Sequence, residues 1–230
     1  MTKLDLMVSS PLFGVALTVG FYAIAQLLNR RWTWLHPLFL TAGGMIVFLA
    51  LTGIPYADYK AGGDIVGFFL GPATVALAVP LYESMKRLKG KVRAVIVGVT
   101  VGSASGMLAV YLLTLVLGAS RDTLLSMLPK SATSPIAIEL ARQLGGTPEL
   151  GGVFAVLTGL LGSMLGPAFL RFARVRSDIG IGTAVGTASH GIGTARLIRE
   201  SVAQGGISGF AMSLSSIITP ILCIPVQWWL

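Results

Sequence analysis

Charge is scarce in this sequence. Asp, Glu, Lys and Arg make up 11% of its 230 residues, where a soluble domain carries about 25%. A soluble catalytic domain and a nucleic-acid-binding module are excluded on that ground. Cysteine occurs once, at Cys223, so no disulfide framework can form within the chain. Two histidines and one cysteine offer no recognisable zinc spacing. There is no HExxH, P-loop or CxxC motif. Metal, cofactor and ATP-driven pumping are therefore not expected. Ser189 and His190 are neighbours on the chain with no acid to orient the ring, so they do not read as a catalytic pair. No enzyme is expected.

What the sequence has is hydrophobicity. Apolar residues make up 54%, and the mean hydropathy is +0.81. Seven uncharged stretches reach 17 residues or more: 6–29, 32–57, 65–82, 94–120, 150–170, 179–195 and 201–230. A helix needs roughly 20 apolar residues to cross a bilayer. The expected fold is an all-α polytopic membrane protein occupying 1–230 as a single domain.

The formal charge of +8 reads as topology rather than as an anionic macromolecular partner. The basic loops are Asn29–Arg31, Glu83–Arg93 (with Lys86, Arg87, Lys89, Lys91 and Arg93) and Arg171–Asp178. Placing them inside predicts crossings near 8–28, 34–54, 65–82, 94–118, 150–170, 179–199 and 205–228. The N-terminus is then outside and the C-terminus inside, with Pro55–Asp64 an outside loop. The first apolar run is too long for a signal-peptide core and reads as a retained helix. Segment 119–149 begins and ends outside and is too short in apolar residues to span, so it reads as re-entrant or interfacial. Pro135 marks a helix start there, with Ser134 as the cap candidate. Ile136, Ile138 and Leu140 lack the spacing of an amphipathic surface helix.

Two of the stretches are poor lipid-facing helices. One carries Gly71, Pro72 and Pro80; the other carries Gly180, Gly182, Gly186, Gly191 and Gly193. Proline inside a helix costs about 3 kcal/mol and frees a carbonyl; glycine costs about 1 kcal/mol relative to alanine. Close helix packing is the ordinary use of membrane glycine, and Gly182 and Gly186 fit it. The alternative is a pair of helices broken at the bilayer midplane, the arrangement found at transporter sites. The order of elements suggests weak inverted repeats, about 1–118 and 119–230.

Polar groups gather at these breaks. Thr74 follows the first; Ser189, His190 and Thr194 lie in the second, with Thr183 and Thr187 nearby; Ser131, Thr133 and Ser134 sit beside Pro135. Half-helix N-termini and hydroxyls favour an anion. A histidine within a membrane segment is a functional candidate by default; His36, near an interface, is a weaker one. Arg196 and Arg199 could pair with an anion, with Glu139 or with Glu200, and Arg142 is placed likewise.

Three blocks carry a resemblance: Phe69–Tyr82, Leu128–Ala137 and Gly186–Arg196. They look like the signature blocks of the LrgB/CidB family, including its YohK-type bacterial members, and the likeness covers essentially the whole chain. The C-terminal half of the plastid glycolate/glycerate translocator is similar. The resemblance marks Gly71, Pro72, Thr74, Lys130, Ser131, Thr133, Ser134, Pro135, Ser189, His190, Gly191, Thr194 and Arg196 without assigning roles. Ala132 and Ser134 stand where many relatives have Val and Thr, changes that leave the hydroxyl at 134 in place. The resemblance implies a multi-pass protein of the bacterial cytoplasmic membrane. It implies either a secondary transporter of small monocarboxylates such as glycolate, glycerate or pyruvate, or an antiholin-like regulator of murein hydrolase export. The second would work with a small LrgA/CidA-type partner. A homodimer is expected, with the lipid bilayer as solvent.

Overall fold

A computed structural model describes residues 8–32, 37–69, 72, 75, 76, 79, 82, 88 and 90–229. Gly71, Thr74, His36, Pro80, Lys86, Arg87 and Lys89 lie outside the described residues, and with them nearly all of the first expected break. The described residues are helical, with no strand among them. They form two compact units, 1–75 and 76–230.

In the first unit, α1 (Pro11–Arg31) packs against α2 (Pro37–Thr52) and α3 (Tyr56–Phe68). Pro11 opens α1, where its missing N–H costs nothing. Arg30 and Arg31 close it at the negative end of the helix dipole. The α1–α3 contact is made by glycines: a Cβ on Gly14 would lie 2.9 Å from Gly62 Cα. The expected outside loop 55–64 is corrected here, because those residues form most of α3. Gly53, at φ 67, ends α2 early, and Pro55 occupies the N-cap position of α3. Lys60 and Asp64 pair at 2.6 Å one turn apart, so charges that resemble a loop in sequence lie along a helix.

The second unit contains α4 (Val92–Val116), α5 (Arg121–Met127), a 3-10 turn (Leu128–Ser131), α6 (Ser134–Leu144), α7 (Pro148–Phe172), α8 (Asp178–Glu200), α9 (Val202–Cys223) and the short α10 (Val226–Trp229). Serines cap three of the helices: Ser120, Ser177 and Ser201 accept from the backbone N–H of Thr123, Gly180 and Gln204. Helix α8 lies against α4, α7 and α9. One apolar cluster joins Val95 and Val99 to Ile207, Phe210 and Ala211. Another joins Met107 and Val110 to Leu124, Leu125, Leu140 and Cys223.

Segment 119–149 thus resolves into two helices and a turn. The buried face of α6 is Ala137, Leu140 and Ala141, a helical spacing that Ile136 and Ile138 concealed because they flank it. Helix α7 meets this face at Gly151, where a Cβ would come within 2.7 Å of Ala141 Cβ. The N-cap is Thr133, one residue before the expected Ser134, and its side chain makes no capping bond. Pro135 lies in the first turn.

Helices α1, α4, α7 and α9 are each long and apolar enough to cross a membrane. The distribution of residues suits lipid. Val116, Leu117 and Phe172 are among the most exposed side chains, while Ser103, Ser126, Ser208, Ser215 and Thr219 are fully buried. The chain is a multi-pass membrane protein.

Candidate functional site

Helix α8 is interrupted at His190, whose φ of 44° and ψ of −133° are not helical. Such a backbone is rarely adopted by a residue with a Cβ. Sequence reasoning placed Ser189 and His190 within this break but attributed the break to the glycines around them. Yet Gly186, Gly191 and Gly193 all remain within helical turns, and none has a positive φ. They do other work. A Cβ on Gly186 would run into the Ser208 carbonyl oxygen of α9, and one on Gly193 would come within 2.7 Å of Val185 Cγ1. Gly191 is exposed. Gly182 also packs on α9, against Ile207.

The space for the break comes from α7. A Cβ on Gly162 would collide with Ser189 Oγ, and one on Gly159 would sit 3.3 Å from the Ser189 carbonyl oxygen and 3.5 Å from His190 Nδ1. Ser189 and His190 are 1% and 5% exposed. Thr194 holds the far side: its hydroxyl donates to the His190 carbonyl at 2.7 Å and lies 2.8 Å from Ser208 Oγ. His190 Nε2 is buried without a hydrogen-bond partner. The 3-10 turn that carries Lys130 contacts α8.

The structure therefore brings together Ser189, His190 and Thr194, with the Lys130–Ser131 turn beside them. Ser131 is buried, and its carbonyl accepts from Ser215 Oγ at 2.7 Å. Ser215 Oγ lies 3.3 Å from Ser103 Oγ, which ties the turn to α9 and α4. Thr133 Oγ1 is buried and unpartnered; Ser134 is half-buried. Arg196 is already committed. It donates to the Ser163 carbonyl and, at 2.8 Å, to Glu200, so its charge is spent within the chain. Arg142 pairs with Glu139 at 2.5 Å on an exposed face. Pro72 is exposed.

A cavity of ≈ 670 Å³ opens between α4, the 3-10 turn and α8, a volume typical of small-molecule sites. Its walls include Gly98, Gly102, Gly106, Lys130, Ser131 and Thr183. The α4 glycines recur every fourth residue and face α8 and the turn. A Cβ would meet Thr183 Cγ2 at 3.0 Å from Gly98, Thr187 Cγ2 at 3.2 Å from Gly102, and Ser131 Oγ at 3.1 Å from Gly106. Sequence reasoning passed over this row, although Gly-x-x-x-Gly-x-x-x-Gly is the packing signal that would have revealed it. It also gave Lys130 no role. Among the described residues, no group of His, Cys, Asp and Glu is arranged to hold a metal ion.

Comparison with known proteins follows the same lines. The model of the LrgB-like family matches residues 18–229. The holin-like protein CidB of Staphylococcus aureus (strain N315) is 35% identical over 214 residues, 92% of this chain and 93% of its own length. Holin-like protein CidB of Staphylococcus epidermidis (strain ATCC 12228) is 31% identical over 214 residues, again 92% and 93% of the two chains. The Bacillus subtilis (strain 168) protein YwbG is 35% identical over 205 residues, 88% of this chain and 91% of its own. No solved structure matches at a significant level.

Proposed function

The chain belongs to the LrgB-like family, and from that premise we propose that it is a holin-like regulator in the bacterial cytoplasmic membrane. In this reading it controls murein hydrolase export together with a small LrgA/CidA-type membrane partner. The observation that carries it is the likeness to CidB proteins along nearly the whole of both chains. The apolar exterior of α4 and α7 supplies surface for such a partner, or for a second copy, within the bilayer. The test is expression with and without the partner, followed by pull-down, dye leakage and hydrolase activity in the medium. Unchanged leakage and hydrolase release, with no partner recovered, would sink the proposal.

A second reading is favoured by the interruption at His190 and its unpartnered Nε2. Irregular backbone inside a membrane protein persists where it is buried or lines a cavity. In this reading the chain conducts small monocarboxylates, and Ser131, Thr133, Ser134, Ser189, His190 and Thr194 contribute to the path. Its finer topology is seven crossings with inverted repeats, N-terminus outside and C-terminus inside. Liposomes holding the purified protein should accumulate labelled glycolate, glycerate or pyruvate. Absence of uptake with and without a proton gradient removes this reading and leaves the first untouched.

A further inference from the structure

Lys130 sits in the 3-10 turn, is half-buried, and has no ion pair among the described residues. Its ammonium lies against α4, 3.7 Å from where a Cβ on Gly106 would stand. No acid appears among the described residues lining the cavity it faces. An ammonium withdrawn from water without a counter-charge is strongly unfavourable, and in membrane proteins such groups pair or mark a ligand path.

A second observation points the same way. Thr183 is 9% exposed and lines the same cavity. Its hydroxyl is buried without a partner, although a threonine in a helix ordinarily bonds back one turn, as Thr187 does to Thr183 at 2.7 Å. Ser131 adds a further hydroxyl to the lining. Among the described residues the cavity lining therefore holds one ammonium with no carboxylate beside it, together with the Ser131 and Thr183 side chains. Gly98, Gly102 and Gly106 form its α4 wall, and a side chain on any of them would press on Thr183, Thr187 or Ser131.

We propose that the cavity between α4 and α8 is a binding site for a small soluble anion, with Lys130 as the charge that selects it and Thr183 and Ser131 as its hydroxyl donors. The site adjoins the break at His190, since its lining runs through Thr187 and Ala188, and it assigns binding to a lysine rather than to Arg196. It rests on the carboxylate reading only for the kind of anion.

The test uses the full chain purified in detergent, with labelled pyruvate and labelled chloride as probes. Pyruvate should bind saturably, and glycolate should compete where the neutral lactamide does not. K130Q should weaken binding about tenfold or more, the usual consequence of losing a charged hydrogen-bond partner, while K130R retains most of it. T183V should weaken binding several-fold without lowering the melting temperature, because the hydroxyl it removes satisfies nothing in the protein. A folded K130Q that binds both anions like the wild type overturns the site, as does an absence of binding by either anion. Lys130-dependent binding of chloride without pyruvate keeps the site and removes the carboxylate reading. Pyruvate uptake at the wild-type rate by K130Q does the reverse.

Discussion

Gly186→Ala tests whether the α8 glycines serve packing or the break. The added methyl would fall against the Ser208 carbonyl oxygen and 2.9 Å from Ala211 Cβ. The first obstacle is backbone, so a rotamer change cannot relieve it, and α8 and α9 must separate. Neighbouring points allow little movement: a Cβ on Gly182 would lie 2.8 Å from the Gln204 carbonyl oxygen, and one on Gly205 2.6 Å from Ile198 Cα. Overpacking of this kind costs about 1–3 kcal/mol. It is offset by about 1 kcal/mol of helix propensity gained on replacing glycine with alanine. Gly209→Ala on α9 supplies the control, because that Cβ would meet nothing closer than Thr194 Cγ2 at 3.9 Å. The propensity term is common to both variants and cancels in their difference. Gly186→Ala should therefore be less stable than Gly209→Ala by about 1–3 kcal/mol. Denaturant unfolding in micelles, followed by helical circular dichroism, measures the difference. If Gly186→Ala proves as stable as Gly209→Ala, the α8–α9 seam is not the glycine-dependent contact described above.

Other substitutions separate backbone from side-chain effects around the break. In an ordinary helix alanine is more stable than glycine by about 1 kcal/mol; at His190 the order should invert. The positive φ there carries strain of about 1–3 kcal/mol that only glycine relieves, so His190→Gly should melt above His190→Ala. Thr194→Val should cost about 1–2 kcal/mol, because it removes the hydroxyl joining the His190 carbonyl to Ser208; Thr194→Ser should recover most of that loss in the same melting assay. Glu200→Gln breaks a pair whose side chains are 38% and 48% exposed, so it should change stability by less than about 1 kcal/mol. A larger loss would mean that Glu200 orders Arg196 on the Ser163 carbonyl.

The parts of the fold that depend on one stretch of chain were legible in the sequence. Long uncharged runs marked α1, α4, α7 and α9. The glycine-rich stretch marked α8 as unlike the rest. What escaped depends on residues far apart in sequence. A glycine in a helix has the same intrinsic cost whatever faces it, so sequence could not say whether Gly186 opened the helix or closed it on Ser208. Likewise nothing near Ser189 announces that Gly159 and Gly162, on another helix, leave room for it. Helix α3 was missed for a local reason. Its Lys60–Asp64 pair and two small glycines read as loop until the i,i+4 geometry places the charges together on one side.

The small residues of the second unit bear unequally on the two functional readings. Glycines at 182, 186 and 205 bring α8 and α9 into backbone contact, which any helical membrane scaffold would use. The α4 row differs in effect. Gly98 and Gly102 meet only threonine methyl groups, at 3.0 and 3.2 Å, and Gly106 faces Ser131 and Lys130. Larger side chains at those positions would press on Thr183, Thr187 and Ser131 and would withdraw the ammonium further from water with no counter-charge to offset the cost. A regulator that acts only through its outer surface has no use for that volume. A chain that admits an anion does, and the requirement falls on the same face of α4 that Lys130 approaches. Replacing Gly102 with leucine should therefore leave partner capture intact while abolishing pyruvate binding. Loss of both together would mean that the cavity shapes the partner surface instead.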